Sequence, residues 1–363
     1  MGRFRRPKAV PMTPPLRPSA VACAAGLTLS CGWLAALPAQ DEVAPAPAAA
    51  AAALLAALDA DQTEQAVLNP ENPSRRDWHF IPKEARKGVA LNAMTAPQRA
   101  AAADLLRSLL SAGGYELARN VMTLEAVLAV LEENPVRRDP LKYSVTFFGT
   151  PAEPGPGGRW AVSVEGHHLS LNFLLRGDAV LASTPAFFGS NPAKVPREVA
   201  GVPAGTRVLA DAEDVGFTLL NALSDEQRAV AVVSNDPPRE IRGAGDGSWV
   251  APAMSDDDGL PAAEMDEEQR RLLQTIVDEH LAPMPAAVRA ERRAAFGDAG
   301  GIAALRFAWL GATAPGVGHG YRVRGPATAI EFVNSQPDSF GNPANHAHAV
   351  RRDPAGDFGD AME

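Results

Sequence analysis

Four helix starts with the same chemistry recur along this chain as one ordered pair, written twice. "LLAALDADQTEQAV" (54–67) and "LLNALSDEQRAVAV" (219–232) are identical at Leu54/Leu219, Leu55/Leu220, Ala57/Ala222, Leu58/Leu223, Gln62/Gln227, Ala66/Ala231 and Val67/Val232. Asp59 with Gln62, and Ser224 with Gln227, have the capping-box spacing, in which two side chains satisfy the backbone donors that a helix start leaves free. "GVALNAMTAPQR" (88–99) and "GLPAAEMDEEQR" (259–270) then share Gly, Met, Gln and Arg. The box returns there as Thr95 with Gln98 and as Asp266 with Gln269. Helical text follows both, stopped by glycine in "AAAADLLRSLLSAGG" and by proline in "RLLQTIVDEHLAPMP".

Strand-like text comes next in each half. "YSVTFFGT" and "GRWAVSVEGHHLSLNFLL" correspond to "LRFAWLGA" and "HGYRVRGPATAIEFVN", with Phe173 opposite Phe332 and Gly166 opposite Gly325. The expectation is an α+β protein with an internal duplication of a helix-helix-strand-strand unit, over 51–205 and 206–355, followed by a C-terminal tail at 356–363. The two copies would pack about a pseudo-twofold, with the hairpins in one antiparallel sheet or two facing sheets and the helices outside.

The chain opens with Arg3, Arg5, Arg6, Lys8 and Arg17, then runs apolar through "SAVACAAGLTLSCGWLAALPAQ" to Asp41 and Glu42. A basic region, an apolar stretch and small residues before a polar switch read as a secretory signal peptide over 1–39, cleaved after Ala39, with an uncleaved membrane anchor as the alternative. Residues 40–50 read as a Pro/Ala linker. Both cysteines, Cys23 and Cys31, lie inside the signal, so the mature chain would hold no disulfide. Its removal leaves 29 Lys and Arg against 43 Asp and Glu, a net charge of about −14. Without a basic face the phosphate term is missing, so nucleic acid is excluded as a partner. A periplasmic or secreted protein acting on a small molecule is expected, with no stable membrane insertion once the signal is cleaved; the oligomeric state is not readable.

Four of the seven histidines fall in two segments. Residues two apart on a strand share a face. In "EGHHLSLNF" that parity puts His167 with Leu169, Leu171 and Phe173, and His168 with Ser170 and Asn172. In "NHAHAV" it puts His346 and His348 together, spaced so that two imidazoles can converge on one ion. His168 and His319 are further candidate ligands, and Glu165 and Glu331 are candidate ligands or general bases. A divalent metal ion is the expected cofactor, its identity open. Three protein ligands would leave a position for water, whose pKa the ion lowers.

Neighbouring residues complete the candidate site. Arg351 is placed to clamp an anionic substrate, and Asp353 or Asp357 to orient a ligating imidazole. Trp78, His79 and Arg86, in "RRDWHFIPKEARKG", form an aromatic and basic cluster suited to ligand binding. Ser170, Asn172, Asn334 and Asn345 are candidate polar contacts to substrate. His280 ends an amphipathic helix, where its cation favours the dipole, and is left outside the site. No G-x-S-x-G elbow, Walker loop or H-E-x-x-H occurs. "GVGHG" lacks the strand and helix a dinucleotide loop needs, and "SDDDG" resembles a calcium loop only briefly.

"DWHFIP", "RKG", "EGHHLSLNF", "TPAFFGSNP", "RFAWLG" and "ANHAHAVRRD" followed by "DFG" together resemble the bacterial family named domain of unknown function 3500, over nearly all of residues 54–360. The resemblance implies an exported or cell-associated protein of one architecture and implies no reaction. Val162 and Ser163 stand where the family pattern commonly has an aromatic and an arginine. Val333 replaces a usual aspartate, while Glu331, Asn334, Gln336, Asn345, His346 and His348 match. Pro326 and Ala327 replace the hairpin histidines in the second half, which favours one composite site between the halves. The leading functional expectation is a metal-dependent hydrolase, with oxidative chemistry at iron or copper also open. The alternative is a non-catalytic periplasmic protein that binds a small molecule or cell-wall fragment.

Overall fold

The computed structural model describes residues 44–241, 259–338, 341–354 and 356–359. The expected signal peptide lies outside them. Among the described residues no helix is long and apolar enough to cross a membrane.

Helix α1 (Pro47–Ala57) takes up the last four residues of the expected linker, because Pro47 stands at the first turn, where its missing N–H costs nothing. Then come α2 (Ala60–Ala66), β1 (Val67–Leu68), β2 (Val89–Ala90), α3 (Ala96–Leu109) and α4 (Ala112–Leu131). Strands β3 (Ser144–Phe148), β4 (Arg159–Gly166), β5 (Leu169–Arg176), β6 (Ala179–Ala182) and β7 (Ala186–Ser190) follow. The second part has α5 (Ala210–Ala222), α6 (Asp225–Ala231), β8 (Val232–Ser234), β9 (Leu260–Pro261), α7 (Glu267–Leu281) and α8 (Ala286–Asp298). It ends with β10 (Arg306–Gly311), β11 (His319–Gly325), β12 (Thr328–Asn334) and β13 (Ala347–Arg352).

All four capping boxes form. Their glutamines do more than cap. Gln98 Nε2 donates to Ala57 O at 2.9 Å and to Gln62 Oε1 at 2.7 Å, while Gln62 Nε2 reaches Ala93 O at 2.9 Å. Gln269 Nε2 bonds Ala222 O at 2.9 Å and Gln227 Oε1 at 2.8 Å, and Gln227 Nε2 reaches Glu264 O at 2.8 Å. Each pair of amides therefore clasps two helix starts together, satisfying carbonyls that burial would otherwise strand.

A single mixed sheet results, with the order β1-β3-β4-β5-β7-β13-β12-β11-β10-β8. Only its outermost pairings, β1 with β3 and β8 with β10, are parallel along this path. At the centre β7 and β13 pair antiparallel, His348 opposite Gly189 and Arg351 opposite Ala186. This seam joins segments 160 or so residues apart in sequence, and the described residues all fall in one compact unit.

Strand parity gives the sheet two unlike faces. Phe188, Ala186, Ala349 and Arg351 share one face with residues of α4, α5 and α7. The other face carries Phe187, Val333 and Val350, packed on Trp78, Phe80, Ile241 and Phe358 from the loops. The helix-covered face is apolar along β3, β4 and β5, at Val145, Phe147, Val162, Val164, Leu169 and Leu171. The loop-covered face presents Ser163, Glu165, Ser170 and Asn172, all buried.

Candidate metal centre

His168, His346 and His348 meet at the loop-covered side of the central seam. His346 Nε2 lies 2.8 Å from His168 Nε2 and 3.1 Å from His348 Nε2, and the third edge of the triangle is 3.4 Å. His168 and His348 are buried and His346 is half-buried.

Local sequence explains how each ring is aimed. His348 lies on β13 with its side chain on the loop-covered face, and His346 enters from the turn before the strand, its N–H donating to Asn334 Oδ1 at 3.1 Å. His167 and His168 are not strand residues, as their alternation suggested, but the two-residue turn between β4 and β5. His168 takes φ of +62°, a left-handed conformation that costs a non-glycine residue about 1 kcal/mol. The turn is held from several sides. Tyr143 Oη donates to His167 O at 2.8 Å, His168 N donates to Phe80 O at 2.8 Å, and Gly189 N donates to His168 O at 2.8 Å. Gly189 has to be glycine, since a Cβ there would stand 2.9 Å from the His168 ring.

The outer contacts fix tautomers. Glu240 Oε1 accepts from His348 Nδ1 at 2.6 Å, which leaves a lone pair on Nε2 pointing at the other two rings. Gln336 Nε2 donates to Glu240 Oε2 at 3.1 Å and to Arg239 O at 3.0 Å, steadying the carboxylate. The His167 ring stacks on His168 with centroids 3.7 Å apart. His167 Nδ1 is hydrogen-bonded to Glu125, and Arg138 Nη1 lies 3.1 Å from the same nitrogen. Burial, with adjoining imidazoles, holds His168 well below its ordinary value and pushes His346 down to about 3, so both are neutral at pH 7. Burial likewise raises the Glu125 carboxyl to about 8, against the pull of Arg138.

Three Nε2 atoms converging on one point fit a cation, because neutral imidazoles can share protons only in pairs. Separations of 2.8, 3.1 and 3.4 Å between the Nε2 atoms are short enough for His168, His346 and His348 to hold one such ion, given metal–nitrogen bonds of about 2.0–2.1 Å.

Other expected site residues lie elsewhere. His319, foreseen as a ligand, is on the helix-covered side, parallel to Trp309 with centroids 5.6 Å apart; its Nδ1 donates to Val317 O and its Nε2 lies 3.1 Å from Glu213, off the line of a good hydrogen bond. Arg351 is three residues from His348, so it projects to the opposite face and cannot clamp a substrate at the histidines. Glu165 is bound by Lys87 at 2.9 Å and Glu331 by Arg322 at 3.2 Å, both on the loop-covered face but neither in the histidine cluster. Asp357 is held by Arg352 and Asp353 by Arg292, so neither orients a ligating ring. Glu240 takes that part; a lone glutamate in loop text gave no periodic signal to find it by.

The expected polar contacts brace the site. Asn334 bridges the His346 amide to Glu213, and Asn345 ties Lys194 to Asp338. Asn172 Nδ2 donates to Pro185 O at 3.0 Å and lies 3.4 Å from Ser170 Oγ. Trp78 is core, 6.2 Å from the Phe187 ring, and His79 Nε2 pairs with Asp77 at 2.7 Å. Arg86 serves backbone carbonyls, donating to His79 O at 3.0 Å and to Ile81 O. It also lines a cleft of about 580 Å³ with Lys83, Glu125, Arg137, Tyr143 and His167.

The fold and this cluster place the chain among mixed α+β proteins with a triple-histidine site. It belongs to the family described as Protein of unknown function (DUF3500), whose model matches residues 40–360. No curated protein and no solved structure matches the chain.

Proposed function

We propose that His168, His346 and His348 bind one divalent transition metal ion and that the protein is an exported metal-dependent hydrolase. The convergence of three Nε2 atoms within 3.4 Å carries this reading. The Glu240 contact to His348 Nδ1 supports it, since a carboxylate behind a ligating imidazole raises its basicity and fixes its direction. A bound ion would supply a hydroxide at neutral pH. The chain supplies the three imidazoles and a buried setting that strengthens electrostatic interactions. The cleft one ring away carries Lys83, Arg86, Arg137 and Lys142 against Glu84, Glu125 and Asp139, and burial keeps Glu125 largely protonated at pH 7. That balance favours an anionic substrate approaching past His167. Export rests on the basic and apolar text of residues 1–39.

We further infer that the chain is an internal duplication. The matched capping boxes, the matched glutamine clasps and the strand order that reads alike from either edge support it.

Elemental analysis of protein purified without chelator tests the metal. About one equivalent of zinc, iron, manganese or copper, lost in the His346→Ala and His348→Ala double variant, is expected. Metal-free protein in a metal-replete preparation sinks the reading and leaves the cleft as a ligand-binding site without catalysis. Hydrolysis of carboxylate or phosphate esters that stops on chelation and returns with metal then tests the reaction.

A further inference from the structure

Arg351, on the face of β13 opposite His348, makes no ion pair among the described residues. It is 5 % exposed, its Nη2 donates to Ser183 O at 3.1 Å and Ser183 Oγ at 3.0 Å, and its Nε meets no acceptor. The nearby carboxylates are taken, Asp353 by Arg292 and Asp357 by Arg352. Among the described residues no carboxylate lies within ion-pair distance of this guanidinium. A buried cation left so is costly unless something anionic joins it.

The place for such a group is beside it. Arg351 borders a cavity of about 320 Å³ whose other walls include Phe188, Leu117 and Leu209. Glu279 and Asp211 also line this cavity, and no cation meets either among the described residues. Burial pushes the Glu279 carboxyl up, with Asp211 and then Asp278 adding to the shift, which puts Asp211 near Glu279; Asp278 is itself paired with Arg293. Among the described residues, one cation and two carboxylates without ion pairs and an apolar wall therefore border one small space.

We propose that this cavity binds a small zwitterion, an α-amino acid with an apolar side chain. Its carboxylate meets the Arg351 guanidinium, its ammonium turns to Glu279 and Asp211, and its side chain rests on Phe188, Leu117 and Leu209. The site is separate from the histidine cluster, and β13 is the element common to both.

Calorimetric titration of the full chain with the twenty standard L-amino acids tests this. One or more apolar members are expected to bind. For the tightest, the amide, which lacks the carboxylate, and the N-acetyl derivative, which lacks the ammonium, should each bind about tenfold more weakly or worse. Arg351→Met should weaken the amino acid by about tenfold or more. Should that variant fail to fold, Glu279→Gln, at a half-buried position, carries the test: it should weaken the amino acid and leave the N-acetyl derivative unchanged. His346→Ala should leave binding intact. Absence of binding by every amino acid, equal binding of acetate or inorganic phosphate, or indifference to Glu279→Gln would overturn the proposal.

Discussion

His346 and His168 stand 178 residues apart in sequence, yet their Nε2 atoms are 2.8 Å apart. The seam between β7 and β13 makes this meeting, since β13 carries His348 opposite Gly189, whose N–H holds the His168 carbonyl. The site therefore depends on pieces remote from the ligand atoms, and each piece can be tested.

Glu240→Ala removes the acceptor behind His348. Metal affinity, measured by competition with a chromophoric chelator, should fall by about 10- to 100-fold, the usual size of such an effect. Glu240→Gln keeps an acceptor and should lose less. Unchanged affinity in Glu240→Ala would show that this carboxylate has no part in the site.

Gly189→Ala puts a methyl 2.9 Å from the His168 ring. The ring cannot retreat freely, because the His168 amide and carbonyl are both hydrogen-bonded. Overpacking of this kind costs about 1–3 kcal/mol. Urea unfolding should show that loss, and metal affinity should fall with it; a variant of native stability and native metal content would contradict the geometry.

Gln98→Ala and Gln269→Ala each open one clasp. Both leave an N-cap amide and two carbonyl or amide partners without their bonds. Losses of about 2–3 kcal/mol are expected for each, by adding a lost cap to buried groups left unpaired. Similar losses from the two variants would agree with the two clasps being equivalent; thermal scans of both decide it.

Acid should weaken the fold through Glu213. Burial alone would raise this carboxyl, but the hydrogen bonds from Asn334 and Arg207, with the His319 ring 3.1 Å away, overcome it and hold it at about 2, below its ordinary 4.5. A depressed carboxyl contributes stability that is complete above about 4.5 and drains away as pH falls toward 2. The full term is on the order of 3 kcal/mol. Urea midpoints followed from pH 5 to pH 2 should fall less steeply in Glu213→Gln than in the native protein.

Much of this was legible in local text. A capping box is written within four residues, so all four helix starts could be placed from Asp59, Thr95, Ser224 and Asp266 alone. The His346 and His348 spacing marked a shared face for the same reason: strand parity is a local property. Parity also held the clue against Arg351, three residues beyond His348. It failed for His168, because nothing local distinguished a strand continuing through "GHHL" from a two-residue turn, and the φ of +62° is enforced by Tyr143, Phe80 and Gly189 from distant segments.

The sequence by itself determined the helix starts, the alternating strands and the pairing of His346 with His348, since each follows from interactions within a few residues. Only the tertiary structure decided that His168 joins them, that Glu240 stands behind His348, and that His319 and Arg351 turn away. Those outcomes depend on which strands become neighbours at the seam, and that choice is made by burying the apolar face of the whole sheet at once.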